Sequence, residues 1–233
     1  MKQKNLLRAP LKTGLYDPSY EKDSCGVGMV ANIKGIPSRQ IMEDACLVNS
    51  RMDHRGGCGF EENTGDGAGI LVALPHNFFK KISKEIDINL PERGSYSVGN
   101  IFLPQKKKER EFCKKEIEKI INSEDQIFLG WRSVPVDPEK ADVGPAARLS
   151  QPVIEQLFIG SNQEIDQNEF ERKLYLIRKQ FSHKLRTETK LTQASLLFAC
   201  SLSSKIIVYK GMLTPTQLFP FFPDLEQKSF ETH

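Results

Sequence analysis

The chain has 233 residues, enough for one large domain or two small ones with a real core. It is 39% hydrophobic and 27% charged, as globular chains are, and 33 Lys+Arg against 30 Asp+Glu leave +3, too mild to argue for nucleic acid. No apolar run approaches membrane-spanning length, the basic N-terminus lacks the apolar block of a secretory signal, and five scattered cysteines without a CxxC pair argue for reduced thiols in a cytosolic setting.

Residues 1–24, MKQKNLLRAPLKTGLYDPSYEKDS, show no periodicity. They read as a short arm, a disordered start or a segment meant to be removed. Cys25 then opens an alternating run predicted as a strand: Val27, Met29, Ala31 and Ile33 face one way, Gly26, Gly28, Val30 and Asn32 the other. Ile41, Ala45, Val48 and Met52 form one face of a helix capped at Ser38. HRGGCGFEENTGDGAG follows as a glycine-rich loop or series of tight turns. GILVALP and SYSVGNIFLP read as strands.

KKKER starts a solvated helix with Cys113, Ile117, Ile120 and Ile121 on its apolar face. A strand is expected over residues 126–134. VPVDPEKADVGPAARLSQP carries four prolines and reads as a long connection. VIEQLFIG is strand-like, and Phe170, Leu174, Ile177 and Phe181 mark a third helix. SLLFACSLSSKIIVYKG reads as a hairpin around a Ser-rich turn, and FPDLEQKSFETH shows no closing element. The sum is an α+β chain, with helices covering antiparallel sheets.

Three candidate sites are weighed on the residues alone. GVGMVA matches a dinucleotide fingerprint by letters, but the preceding residues are polar and its glycines lie inside a strand pattern, so small residues admitting close backbone approach are the better reading. His54 and Cys58 cannot fill a tetrahedral metal site as a pair, and turn residues are the better reading. Cys46, Cys113 and Cys200 sit in apolar patterns as small core residues.

Cys25 differs, because everything before it could be discarded. Cutting the Ser24–Cys25 bond would place a thiol and a free α-amine on one residue. The amine titrates near ~7.7–8.0 and the thiol near ~8.5, so the neutral amine can take the thiol proton. While the upstream peptide remains attached, that nitrogen is an amide and the arm is an off-switch.

CGVGMVANIKG, RMDHRGG and TGDGAGILVALPHNFFKK, in this order and spacing, resemble the start of the class II glutamine amidotransferase domain of the glutamate synthase large subunit. LTPTQLFPFFPDL is a weaker likeness to the same family. The resemblance covers residues 25–233, and residues 1–24 look like that family's cleaved propeptide. It implies an N-terminal-nucleophile hydrolase fold, a four-layer α/β/β/α sandwich incomplete at the C-terminus. It implies that Cys25 attacks the side-chain amide of glutamine, giving a thioester and ammonia. Arg55, Gly56, Gly65, Asp66 and Gly67 match residues that shape the same pocket.

The resemblance further implies that ammonia travels to 2-oxoglutarate in the remaining glutamate synthase domains, where FMN and an iron–sulfur cluster act. No cofactor is expected on this chain itself. The electron donor is ferredoxin or a nicotinamide-linked subunit. No membrane or nucleic-acid partner is implied, and the setting is cytoplasmic, or the plastid stroma in a photosynthetic eukaryote. The chain departs from the family in one respect. The family's clamp arginine and its His-Asn-Gly oxyanion motif lie beyond these residues, and no Asn-Gly dipeptide occurs here. Negligible glutaminase activity is therefore expected of the isolated chain. The alternatives are a non-catalytic assembly piece, or a class II amidotransferase making phosphoribosylamine or asparagine.

Overall fold

A computed structural model describes residues 14, 15, 17, 25–58, 61–162 and 166–233. Helix α1 (Arg39–Arg51) starts where expected, with the Ser38 hydroxyl accepting the Ile41 amide at 3.4 Å. It is followed by β1 (Ala68–Ala73), α2 (His76–Glu85), β2 (Tyr96–Leu103), α3 (Lys107–Ser123) and β3 (Ile127–Ser133). Then come α4 (Pro145–Ser150), β4 (Val153–Gly160), α5 (Gln167–His183), β5 (Phe198–Ala199), β6 (Ile206–Gly211), α6 (Leu218–Phe221) and α7 (Pro223–Glu226). Helix α4 interrupts the predicted long connection, with Pro145 in its first turn where a missing N–H costs nothing.

Among the described residues two antiparallel sheets form, one ordered β3-β4-β2-β5 and the other β1-β6. Period-2 alternation sorts β2 and β4 onto two faces. Ile101, Leu103, Leu157 and Ile159 meet Ile117, Ile121, Phe170, Leu174, Ile177 and Phe181 of α3 and α5. Each such fully buried side chain stabilises by about 1.5–3 kcal/mol. Tyr96, Val98, Ile154 and Phe158 point the other way, into a core with Val72, Ile207 and Tyr209 of the second sheet. Phe78 and Phe79 of α2 join that core, as does Phe230.

Between the two sheets lies a closed polar ring. Arg132 donates twice to Asp224, at 2.7 and 2.8 Å, and once to Gln156 at 2.7 Å. Gln156 donates to the Tyr209 hydroxyl at 2.7 Å, which donates to Asp224 at 2.9 Å. Burial, and then the Asp224 charge, push the Tyr209 hydroxyl well above its ordinary value. A bidentate pair backed by further hydrogen bonds to both partners is what a buried charge requires.

Three expectations are corrected. Residues 25–33 form no strand: Val27 and Met29 are each 89% exposed and Ile33 is 103%. Alternation supplies a face, but a strand also needs a hydrogen-bonding neighbour, and no described strand pairs with this segment. The Ser-rich segment is no hairpin either, since β5 pairs with β2 and β6 pairs with β1. The Glu171 carboxylate of α5 accepts from Ser203 Oγ at 3.0 Å and from Ser204 N at 2.6 Å, pinning the turn while the chain crosses between sheets. Residues near His233 are tied into the fold, where the sequence reading saw no such element. Ser38 and Thr232 form a β-bridge, and the Ala73 amide donates to Thr232 Oγ1 at 3.0 Å.

Candidate active site

Residues 25–31 lie along the C-terminal half of α1, glycine side down. A β-carbon on Gly28 would overlap Val48 Cγ1, and one on Gly26 would stand 3.2 Å from Arg55 Cβ and 3.3 Å from Met52 Sδ. The apolar stripe read from α1 thus does a different job from the one expected. Met42 and Cys46 enter the core, while Val48 and Met52 seat the segment that begins at Cys25. Cys25 itself is exposed.

Helix α1 ends at Met52 and the chain tightens into a single 3₁₀ turn, Asp53–Arg55, with the Arg55 amide donating to Met52 O at 2.8 Å. This turn brings Arg55 under Gly26. Gly56 N then donates to Asp53 O at 3.0 Å, and Gly56 faces the Pro215 ring. Cys58 and Gly65 form a β-bridge, and the Asp66 amide donates to Gly57 O at 3.0 Å. Gly65 is buried against the Leu213 carbonyl group, leaving no room for any side chain. Gly67 has φ 145°, a conformation that favours glycine.

The residues singled out from sequence therefore form two neighbouring groups. Cys25 adjoins Arg55 through Gly26, while Gly65, Asp66 and Gly67 are tied through Gly57 to the strand of chain leaving Arg55. Asp66 and Gly67 also open onto a groove of about 770 Å³ that runs along β1 and β6 to Phe102 and Phe198. Its walls are mostly apolar, and Lys210 Nζ stands 4.3 Å from the Phe198 ring centre. The sequence reading singles out neither Asn49, whose Nδ2 donates to Pro215 O at 2.7 Å, nor the LTPTQ turn as part of this site. The likeness of LTPTQLFPFFPDL to one family was the available signal.

The thiols differ sharply. Burial raises Cys113 to about 11 and Cys200 to about 12, and it raises Cys46 as well. Cys25 and Cys58 are exposed.

Residues 25–233 match the family described as "Glutamine amidotransferases class-II". The chain belongs to that family. It is 43% identical to "Glutamate synthase [NADPH] large chain" of Bacillus subtilis over 95% of its own length and 14% of that protein's. It is 40% identical to "Glutamate synthase [NADH]" of Saccharomyces cerevisiae over 96% of this chain and 10% of the relative. Identity is 38% with "Ferredoxin-dependent glutamate synthase 1, chloroplastic/mitochondrial" of Arabidopsis thaliana, over 96% and 13% respectively. This class-II amidotransferase chain thus spans a small part of each of these relatives.

Among the described residues, no three His, Cys, Asp or Glu side chains converge as metal ligands. These residues therefore do not fit an iron–sulfur cluster, which takes four thiolates. No described helix is long and apolar enough to cross a membrane.

Proposed function

We propose that Cys25 is the nucleophile of a glutamine amide hydrolysis, released by removal of residues 1–24. That leader, apart from residues 14, 15 and 17, lies outside the described residues. The observation that carries the reading is the start of the family match at Cys25 itself. The exposed position of Cys25 beside Arg55 supports it.

On this reading the α-amine of Cys25 accepts the thiol proton and the sulfur attacks the side-chain carbonyl carbon of glutamine. The C–N bond breaks, the held proton passes to the departing nitrogen, and ammonia leaves a glutamyl thioester. Water then cleaves the C–S bond, releasing glutamate and restoring the thiol. Arg55, whose stem lies under Gly26, holds backbone carbonyls or the thiolate environment. Gly56, Gly65, Asp66 and Gly67 shape the pocket wall, and Gly56 and Gly65 let the turns on either side of it pack against residues 213–215.

The ammonia serves reductive amination of 2-oxoglutarate in further glutamate synthase domains, where FMN and an iron–sulfur cluster belong; no step on this chain runs through either group. The electron donor, ferredoxin or a nicotinamide-linked subunit, meets those domains, and the setting is the cytoplasm or a plastid. The two sheets and their flanking helices support a four-layer α/β/β/α arrangement. The experiment is ammonia release from glutamine, with Cys25→Ala as the control and intact mass reporting whether residues 1–24 are removed.

A further inference from the structure

The LTPTQ turn, residues 213–217, contacts the turns carrying Gly56 and Gly65 and the end of α1. Leu213 packs its carbonyl against Gly65. Pro215 lies over Gly56, and its carbonyl oxygen accepts from Asn49 of α1 at 2.7 Å. Gln217, only 6% exposed, uses its whole side-chain amide. Its Oε1 accepts the Thr214 amide at 2.8 Å, and its Nε2 donates to Asn63 O at 2.9 Å and to Asp142 O at 3.0 Å. Asn63 O also accepts the Gly144 amide at 3.0 Å, so three separate loops meet at one buried amide.

We infer that Gln217 is a positioning residue: through Asn63 it fixes the turn carrying Gly65, Asp66 and Gly67 against the turn carrying Arg55 and Gly56. The chemical argument is one of matched valence. Two outward-facing backbone carbonyls and one amide, from loops distant in sequence, need a side chain with two donors and one acceptor at the right reach, and glutamine supplies that set. Glutamate would keep the acceptor and lose both donors; methionine would keep the shape and lose all three bonds. Without the Gln217 amide, Asp142 O loses this donor and Asn63 O keeps only the Gly144 amide, so the tie between the three loops is lost and they loosen. Asn49 acts at the other end, holding Pro215 to the helix that seats residues 25–31. The catalytic consequence rests on the pocket assignment proposed above, whereas the positional claim does not.

The test is amide hydrogen exchange and amide chemical shifts on the 233-residue chain, comparing wild type with Gln217→Met, Gln217→Glu and the milder Asn49→Ala. The Asp66 amide, which donates to Gly57 O, is the reporter between the two turns. Gln217→Met and Gln217→Glu are expected to speed its exchange about ten-fold or more and to shift the Gly56 and Gly65 resonances. Amides of Ile117 in α3 and Leu174 in α5, on the buried faces of those helices, exchange as in wild type. Asn49→Ala gives the same pattern in smaller measure and decides the matter if both Gln217 variants fail to fold. Equal acceleration at Asp66 and at Leu174, or no change at Asp66, overturns the inference. Ammonia release that persists in the Cys25→Ala form would instead overturn the nucleophile assignment, leaving this result untouched.

Discussion

Gly28 lies so tightly on Val48 that the helix side chain occupies the space any β-carbon would need. Residues 25–33 hold their place through this glycine face, since Val27, Met29 and Ile33 are exposed. Gly28→Ala is expected to lift the segment from α1 without unfolding the protein. Tryptic cleavage after the exposed Lys34 should accelerate about ten-fold. Global unfolding should change by less than about 1 kcal/mol, because the segment lies outside the core. Adding Val48→Ala should slow cleavage again.

The ring of Arg132, Asp224, Tyr209 and Gln156 gives the largest expected stability effect. Asp224→Ala strands a buried guanidinium and should cost about 3–5 kcal/mol in urea unfolding. Replacing both partners, Arg132→Met with Asp224→Leu, should recover most of that loss, because no charge is then left buried. Equal losses in the single and double variants would show that the pair itself, rather than its isolation, matters.

His76 predicts a pH dependence. Partial burial, then the Lys80 and Arg93 charges, lower its imidazole below the ordinary 6.5, with Glu92 opposing. Its Nδ1 lies 2.9 Å from the Tyr96 hydroxyl. The unfolded chain takes up a proton near 6.5 while the folded one resists until lower pH. The His76 contribution is therefore complete above that value and is lost as pH falls through the lowered folded value. Urea titrations from about pH 7.5 to about pH 5.5 should show stability falling, with a shallower fall in His76→Gln.

Thiol chemistry separates the cysteines. With Cys113 raised to about 11 and Cys200 to about 12, iodoacetamide near neutral pH should modify them at least about a hundred-fold more slowly than Cys25 and Cys58. Peptide mass mapping resolves each site. Equal rates would mean that the burial seen here does not persist in solution.

Periodicity exposed the parts of this fold that stand on local pattern. The stripes Cys113–Ile117–Ile120–Ile121 and Phe170–Leu174–Ile177–Phe181 became the buried faces of α3 and α5, because a helix brings i and i+4 together without help from elsewhere. Strand pairing is a long-range choice, so a Ser-rich turn between two apolar runs looked like a hairpin until Glu171, some thirty residues away, claimed its hydroxyls. The same limit applied at residues 25–33, whose alternation was legible while their missing neighbour was not. At the candidate site, Cys25 and the glycines stood out by residue type. Asn49 and Gln217 did not, because their importance lies in carbonyls that only folding brings within reach.

The central claim is that the Cys25 thiol attacks glutamine once its own nitrogen is a free amine. The direct measurement is glutamine-driven ammonia release by a chimera in which residues 25–233 replace the matching segment of the Bacillus subtilis large chain. Three forms are compared: one beginning at Cys25, one carrying Cys25→Ala, and one with an uncleavable residue left ahead of Cys25. Turnover confined to the first form, with the others lower by about a thousand-fold or more, is the expected result. Comparable ammonia release from the Cys25→Ala form, or from the form with its N-terminus blocked, would contradict it.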